Sequence, residues 1–236
     1  MFTKDYLSKL LFFDIETCGQ YPNYEKFQQK DPDGAKIFAG KCERLGYGEP
    51  EVGYSNKVAL FPEFGKIACL SYGVWKNGEI TVSTVSDDDE HTMLKKIANL
   101  FHKAGAAGMI PTGWNIKNFD VPWVYRKILM AEQRVPDIIN LWGKKPWEAN
   151  ILDLKEWWKG FSSLDVTFEE AAYGLGLPSP KDEMNGGQVH NNYWFKDNLV
   201  GIKQYCEKDV KTMIVMCEKI HKIYHSTNNL SSSLTI

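Results

Sequence analysis

A short apolar run that ends in two acidic residues constrains this chain more than any other feature. The segment LLFFDIETCG, residues 10–19, places four apolar residues before Asp14, with Ile15 and Glu16 next. Apolar runs of this kind are typical of central strands that are covered on both faces of a sheet. Because side chains two apart on a strand point to the same side, Asp14 and Glu16 are predicted to project together.

Two carboxylates at the end of a buried strand have two interpretations. Like charges this close repel unless a cation lies between them, and hard divalent cations prefer oxygen ligands. The alternative is a solvated strand end, or a turn that Asp14 caps. Buried strands rarely end in two acids, which weakens that alternative, but the pair alone leaves both interpretations open.

Two further segments carry acids in suggestive positions. In GWNIKNFDVPWV, residues Asn115, Phe119 and Asp120 lie where a predicted strand passes into a helix. In QYCEKDVKTM, Tyr205 and Asp209 are four apart and share one helix face. Taken singly, Asp120 could be an ordinary helix N-cap and the Tyr–Asp pair could be structural.

Composition sets limits on the class of protein. The 236 residues suffice for one domain or two small ones, and 43% apolar content argues against disorder. A net charge of -2 gives no overall basic field for nucleic acid, although a local groove could still be basic.

Five scattered cysteines without a CxxC pair indicate reduced thiols. With no apolar run near ~18 residues and no signal peptide, we expect a soluble, cytoplasmic protein without membrane contact.

Strand and helix signals follow the first strand in alternation, which predicts an α/β fold with a mixed sheet. GKIACLSYGVW and GEITVSTVS, separated by the turn KNG, predict a hairpin. Thr167 followed by Glu170 is a capping-box signature for a helix. The other predicted elements are a helix near 91–105, a strand in GMIPTGWN, a helix near 118–133, a strand leading into a short helix in ANILDLKEWW, and a long helix near 196–225.

Residues 20–62 interrupt this alternation. They are polar, rich in Gly, Pro and Tyr, and show no clear period, so we expect a long insertion without regular structure. The predicted organisation is therefore one domain, residues 1–225, with an insertion at about 20–62 and a disordered tail at 226–236.

The three acid-bearing segments together resemble a known family. The ordered set DxE, N-x3-F-D and Y-x3-D is similar to that of the DnaQ-like (DEDD) 3′–5′ exonucleases, and Tyr205 is typical of the DEDDy branch. GWNIKNFD resembles the proofreading exonuclease domain of family-B DNA polymerases. ILDLK and FEEAAYGLGLPSPKDEMNGGQV resemble the stand-alone family-B-DNA-polymerase-related 3′–5′ exonucleases. The resemblance covers most of residues 8–222, leaves 20–62 unexplained, and implies an RNase H-like fold with a central mixed β-sheet flanked by helices.

This resemblance implies a metal-dependent hydrolase that removes nucleoside 5′-monophosphates from the 3′ end of single-stranded DNA. Two divalent ions, Mg²⁺ or Mn²⁺, are expected as cofactors. By match to the motifs, Asp14, Glu16, Asp120 and Asp209 are the expected metal ligands. Tyr205 completes the catalytic set and is expected to hydrogen-bond the attacking water; whether it also removes a proton stays open, since a phenol has a pKa near ~10.

Substrate contacts are also implied by the resemblance. The backbone around Thr17 and Cys18 is expected near the terminal 3′-hydroxyl, Phe119 beneath the terminal nucleotide, and Asn115 against the strand. His190 invites comparison with DEDDh enzymes, but Tyr205 already matches that position, so an ordinary role is expected.

Two alternatives stay open at this point. Nothing in the motifs reads the sugar, so RNA is an alternative substrate. A catalytically silent nucleic-acid-binding module is another, although all five motif residues are present. Candidate partners are single-stranded DNA 3′ ends and a separate polymerase or repair protein.

Overall fold

A mixed five-stranded sheet forms the centre of the computed structural model, which describes residues 3–145, 147–179 and 184–226. The strand order is β3-β2-β1-β4-β5, with β1 antiparallel to β2 and parallel to β4. The predicted mixed sheet is therefore confirmed. The strands are β1 Leu10–Gly19, β2 Gly65–Lys76, β3 Glu79–Val85, β4 Ile110–Gly113 and β5 Leu152–Asp153.

Helices cover both faces of the sheet and occupy the connection between β1 and β2. The capping box of Thr167 and Glu170 is present as predicted. The predicted tail lies outside the described residues, apart from Ser226 at the end of the last helix. The helices are α1 Lys4–Leu7, α2 Tyr24–Lys30, α3 Pro32–Leu45, α4 Pro50–Lys57, α5 Glu90–Ala106, α6 Asp120–Met130, α7 Leu154–Lys159, α8 Phe168–Gly174, α9 Val189–Trp194 and α10 Leu199–Ser226.

The apolar run of β1 is buried because the strand is covered on both faces. Leu11 and Phe13 pack in a cluster that includes residues of α5 and α6. Leu10 and Phe12 point to the other face and pack with residues of α10, among them Val210. Since side chains two apart share a face, the row that begins with Leu10 and Phe12 continues into Asp14 and Glu16. The two acids are thus directed toward the α10 side of the sheet.

The predicted hairpin between β2 and β3 is confirmed. Asn77 and Gly78 connect the strands with φ angles of 54° and 91°. Both angles lie in the left-handed region that a two-residue turn needs in order to match the twist of its strands, which is why an Asn-Gly pair occurs there.

The prediction that residues 20–62 lack regular structure was wrong. They form α2, α3 and α4 and a short 3₁₀ helix, Val58–Leu60. These helices are only 7, 14 and 8 residues long, and Pro32 and Pro50 each begin a new one. The helices α2 and α4 are too short to show a sustained 3.6-residue period, whereas α3 buries Ala35, Phe38 and Cys42 at helical spacing, a signal that the sequence analysis missed.

The helical insertion, residues 20–62, has its own core and is firmly attached to the sheet. Its aromatic residues pack in a separate buried cluster that includes Phe27, Phe38 and Tyr54. Thr17 Oγ1 of β1 donates a hydrogen bond to the Ala59 carbonyl at 2.7 Å. The position of the insertion against the end of β1 is therefore set by packing and hydrogen bonding together.

We expect Phe38→Ala to destabilise the insertion by about 3–5 kcal/mol, because the ring is fully buried and its removal leaves a cavity. The neighbouring Ile37 on α3 is 64% exposed, so Ile37→Ala is the matched control and should change stability by less than about 0.5 kcal/mol. Urea unfolding, with hydrogen exchange read at α2 to α4, measures both. Equal effects of the two substitutions would contradict a separate insertion core.

Candidate active site

A cavity of about 330 Å³ opens where the end of β1 meets α6 and α10. Its wall also includes residues near the start of α7 and α8. Three segments that are far apart in the sequence therefore contribute to one site. The lining contains every residue predicted to be catalytic: Asp14, Glu16, Asp120, Tyr205 and Asp209.

The carboxylates of β1 face the middle of α10. A carboxylate oxygen from each of Asp14 and Glu16 and the Sγ of Cys206 lie within 4.8 Å of one another. On α10, Asp209 lies one turn after Tyr205, and its carboxylate is close enough to help raise the pKa of the phenol. The four-residue spacing thus places both side chains on the face that covers the acids of β1.

Asp120 is attached directly to the strand that carries the other acids. It is the first residue of α6, it is buried, and its Oδ1 accepts a hydrogen bond from the Ile15 backbone N–H at 3.0 Å. Ile15 lies between Asp14 and Glu16. This bond therefore holds the Asp120 carboxylate beside the pair, a different arrangement from a simple helix cap.

Burial and mutual repulsion disfavour the charged forms of these acids. Burial is the main cause that raises the pKa of Asp14 well above its ordinary value, and Cys206, Asp120 and Asp209 add to it. Burial also raises the pKa of Asp120 to about 7, against the opposing hydrogen bond from Ile15. A cation bound among the carboxylates would offset both effects.

Two neighbours on α10 are held in their neutral forms. Burial, followed by the charges of Asp209, Glu16 and Asp14, raises the pKa of the Tyr205 phenol. The buried Cys206 thiol lies 3.4 Å from both the carbonyl oxygen and Oδ2 of Asp14, and burial raises its pKa too. Both groups can therefore donate hydrogen bonds toward the acids.

The predicted substrate contacts divide between the cavity and its surroundings. Asn115 and Phe119 line the cavity. Thr17 lines an adjoining cavity of about 290 Å³. The side chain of Cys18 is fully buried in a core cluster, and burial raises its pKa to about 12, so its thiol lies outside both linings.

Comparison with known families assigns the chain to a family. A family model described as "Predicted 3′-5′ exonuclease related to the exonuclease domain of PolB" matches residues 61–230, more than half of the chain. The chain belongs to this family. The matched region contains Asp120, Tyr205 and Asp209, whereas Asp14 and Glu16 precede it. The resemblance to DnaQ-like, PolB-related exonucleases is confirmed.

A comparison with solved structures shows the fold of this chain. A family B DNA polymerase from the hyperthermophilic archaeon Pyrobaculum calidifontis matches with a TM-score of 0.53 and 15% identity over 89% of this chain. The match covers 24% of the polymerase chain, so this chain spans about a quarter of that protein. The mixed sheet flanked by helices is an RNase H-like fold. A search of curated proteins finds no significant match, and none of the described helices is both long and apolar enough to cross a membrane.

Asp153 is a site residue that the sequence reasoning missed. Its buried carboxylate accepts hydrogen bonds from the backbone N–H groups of Asn115 and Lys117, at 3.0 Å each, and caps α7. These bonds hold the loop in which Asn115 adopts a φ of 59°. The signal was available: Asp153 in ILDLK ends a predicted strand, as the acids of β1 do.

Lys155 is a second residue that the sequence reasoning missed. It lines the cavity, and its Nζ lies 2.7 Å from Oδ1 of Asp165. Only its position two residues after the end of β5 could have indicated it. A lysine at the wall of an acidic cavity suits contact with a phosphate group.

His190 has a structural role, as expected. Its Nδ1 accepts a hydrogen bond from the Gly19 N–H, and its Nε2 lies 3.0 Å from the Pro22 carbonyl. This neutral ring joins α9 to the end of β1, and burial lowers its pKa below the usual value. Trp194 on the same helix donates its indole N–H to the Gly19 carbonyl.

We expect His190 to make the fold acid-sensitive. Because its pKa is lowered on folding, the unfolded chain binds more protons over the interval below about pH 6.5, and the stability that neutral His190 provides decreases as the pH falls through that interval. Urea unfolding of wild type and His190→Asn at about pH 7.5 and about pH 5.5 isolates this contribution. The difference between the two proteins should be smaller at the lower pH, and a constant difference would contradict the assignment.

Proposed function

We propose that this chain is a metal-dependent 3′–5′ exodeoxyribonuclease that hydrolyses the terminal phosphodiester of single-stranded DNA and releases nucleoside 5′-monophosphates. The observation that carries the proposal is the meeting of Asp14, Glu16, Asp120 and Asp209 in one cavity with Tyr205. Membership of the PolB-related family supports nuclease chemistry and, through its polymerase relatives, a DNA substrate.

The donor set suits hard divalent cations. Five carboxylates line the cavity, and one of them, Asp165, is paired with Lys155. Burial, together with repulsion between neighbouring acids, raises the pKa values of Asp14 and Asp120. Asp14, Glu16, Asp120 and Asp209 would hold two Mg²⁺ or Mn²⁺ ions. Such ions, when bound, lower the pKa of a water molecule and stabilise negative charge on the leaving oxygen.

The side chains around the acids would hold the reacting groups in place. The neutral Tyr205 hydroxyl can hydrogen-bond the attacking water and orient it toward phosphorus. Water oxygen forms the new P–O bond, the bond from phosphorus to the 3′-oxygen of the preceding nucleotide breaks, and that oxygen takes up a proton. Phe119 would pack against the terminal nucleotide, Asn115 would contact the strand, and Lys155 would bind a phosphate oxygen.

Oligomers of DNA and RNA labelled at either end test the reaction. With Mg²⁺ or Mn²⁺, a 5′-labelled DNA strand should shorten stepwise, and a 3′-labelled one should release a labelled mononucleotide at once. Chelator should abolish both products. Digestion confined to RNA would identify RNA, not DNA, as the substrate. If neither polymer were digested, the chain would be a nucleic-acid-binding module without this activity.

Asp209→Asn should reduce turnover by more than about 100-fold, because an amide cannot replace a carboxylate that balances cation charge. Glu218→Gln, an acid on the same helix outside the cavity, is the matched control and should retain activity. Without metal, Asp209→Asn should unfold at the same or a higher temperature than wild type, since it removes a buried like charge. Mg²⁺ should raise the unfolding temperature of wild type more than that of the variant.

Tyr205→Phe distinguishes orientation from proton transfer. If the phenol only orients water, the loss of one hydrogen bond should lower kcat by about 10–100-fold and leave the shape of the pH–rate profile unchanged. If the phenol removes the proton, the fall should exceed about 1,000-fold and the basic limb of the profile should change. We expect the first outcome.

A further inference from the structure

We infer that the helical insertion builds the binding cavity for the 3′-terminal nucleoside and so restricts the enzyme to unpaired 3′ ends. The inference rests on the proposed exonuclease function. It concerns the second cavity, which is about 290 Å³ and adjoins the active-site cavity. The insertion contributes Ser55 and Asn56 of α4 and Leu60 to its wall.

The two cavities form one continuous path past the acids. Ile15, Glu16, Phe119 and Gly186 line both of them. A strand that reaches from one cavity into the other must therefore pass Glu16. This arrangement is what an enzyme needs in order to hold a phosphodiester at the carboxylates with nucleosides on either side.

The second cavity suits the end of a strand. It is the more enclosed of the two cavities, and α4 and the 3₁₀ helix Val58–Leu60 form one part of its wall. An exonuclease must stop the substrate one nucleotide beyond the bond that it cuts. The enclosed cavity can provide that stop, whereas the more open active-site cavity leaves space for the rest of the strand.

The walls combine apolar surface with a few polar groups. Phe119 and Leu60 offer apolar contact for a base, and an aromatic face stacks with any base. Ser55 and Asn56 offer hydrogen-bonding groups, while the Thr17 hydroxyl is already bonded to Ala59. Such a lining can accept all four bases without reading their sequence.

The second cavity is small. Its volume of about 290 Å³ is just below the ~300–1,000 Å³ typical of small-molecule pockets, a size that suits one nucleoside better than a base pair. The wall cannot easily withdraw, because the insertion has its own buried aromatic core and is bonded to β1. A paired 3′ end must therefore separate before it can enter.

A pair of tryptophan substitutions on α4 tests the wall. Ser55→Trp fills the second cavity, while Val52→Trp places the same side chain at a residue of α4 that is 53% exposed and lies outside both linings. Ser55→Trp should lower kcat/KM on single-stranded DNA by about 10-fold or more, and Val52→Trp should not. Equal kcat/KM for the two variants would overturn the inference.

A binding measurement separates occlusion from damage to catalysis. 2-Aminopurine at the 3′ terminus of a DNA strand should change its fluorescence on binding to Asp209→Asn, and the added Ser55→Trp should abolish that change. The added Val52→Trp should leave it in place. If both double variants kept the fluorescence change, or if both lost it, a nucleoside site at Ser55 would be contradicted.

Gly186, which lines both cavities, gives an independent test. Among the residues that the structure describes, none has an atom within 4 Å of a Cβ added at Gly186, and the same holds for Gly40 on α3. Neither residue has a positive φ, so neither substitution strains the backbone. Gly186→Leu should lower kcat/KM by about 10-fold or more because it lies where the cavities join, while Gly40→Leu should not. Full activity of Gly186→Leu would overturn the proposed path.

The preference for unpaired ends completes the test. Wild type should degrade a frayed 3′ end faster than a fully paired one, and replacing residues 24–57 by a short Gly-Ser linker should reduce that ratio. If wild type digested single strands and the Ser55, Gly186 and linker variants behaved like it, this inference would be contradicted and the proposed function would stand. Absence of digestion by wild type would instead remove the proposed function.

Discussion

Repulsion among buried carboxylates is the constraint on which the rest of this structure depends. Asp14, Glu16, Asp120 and Asp209 meet in one cavity, and burial raises the pKa of both Asp14 and Asp120. Bringing buried carboxylates together costs free energy that other interactions in the fold must offset. Here the apolar residues of β1 pack on both faces of the sheet, and the same packing carries the acids with them. Folding thus supplies the free energy that offsets the cost of burying these acids side by side.

The site is a continuation of the core along a single strand. Leu10 and Phe12 pack on the α10 side, and two more steps along the same row bring Asp14 and Glu16 to that side. The register of β1 against β2 shifts between Glu16 and Thr17, which interrupts the alternation at the edge of the cavities. Core and site are therefore set by one strand register, and a slip of one residue would remove both.

Much of this could be predicted from local patterns. The apolar lead-in to Asp14, the Asn77–Gly78 turn and the Tyr205–Asp209 spacing each have a short-range physical cause, so the sequence shows them. In the helical insertion, α2 and α4 were missed because they are short and pack through aromatic contacts between helices, whereas the helical spacing of Ala35, Phe38 and Cys42 in α3 is visible in the sequence. The loop hydrogen bonds of Asp153 join segments nearly 40 residues apart, and such long-range pairings depend on the finished sheet.

The two ends of the insertion meet. Gly19 and Gly65 are partners in the antiparallel pair of β1 and β2, and the Gln20 N–H donates to the Phe64 carbonyl at 3.0 Å. The helical insertion therefore leaves and rejoins the sheet at one point, as a two-residue turn would. Since the entropy of closing a loop grows slowly with its length, this junction can accept modules of very different size. A different segment could therefore replace the helical insertion at this junction while β1 keeps its register against β2.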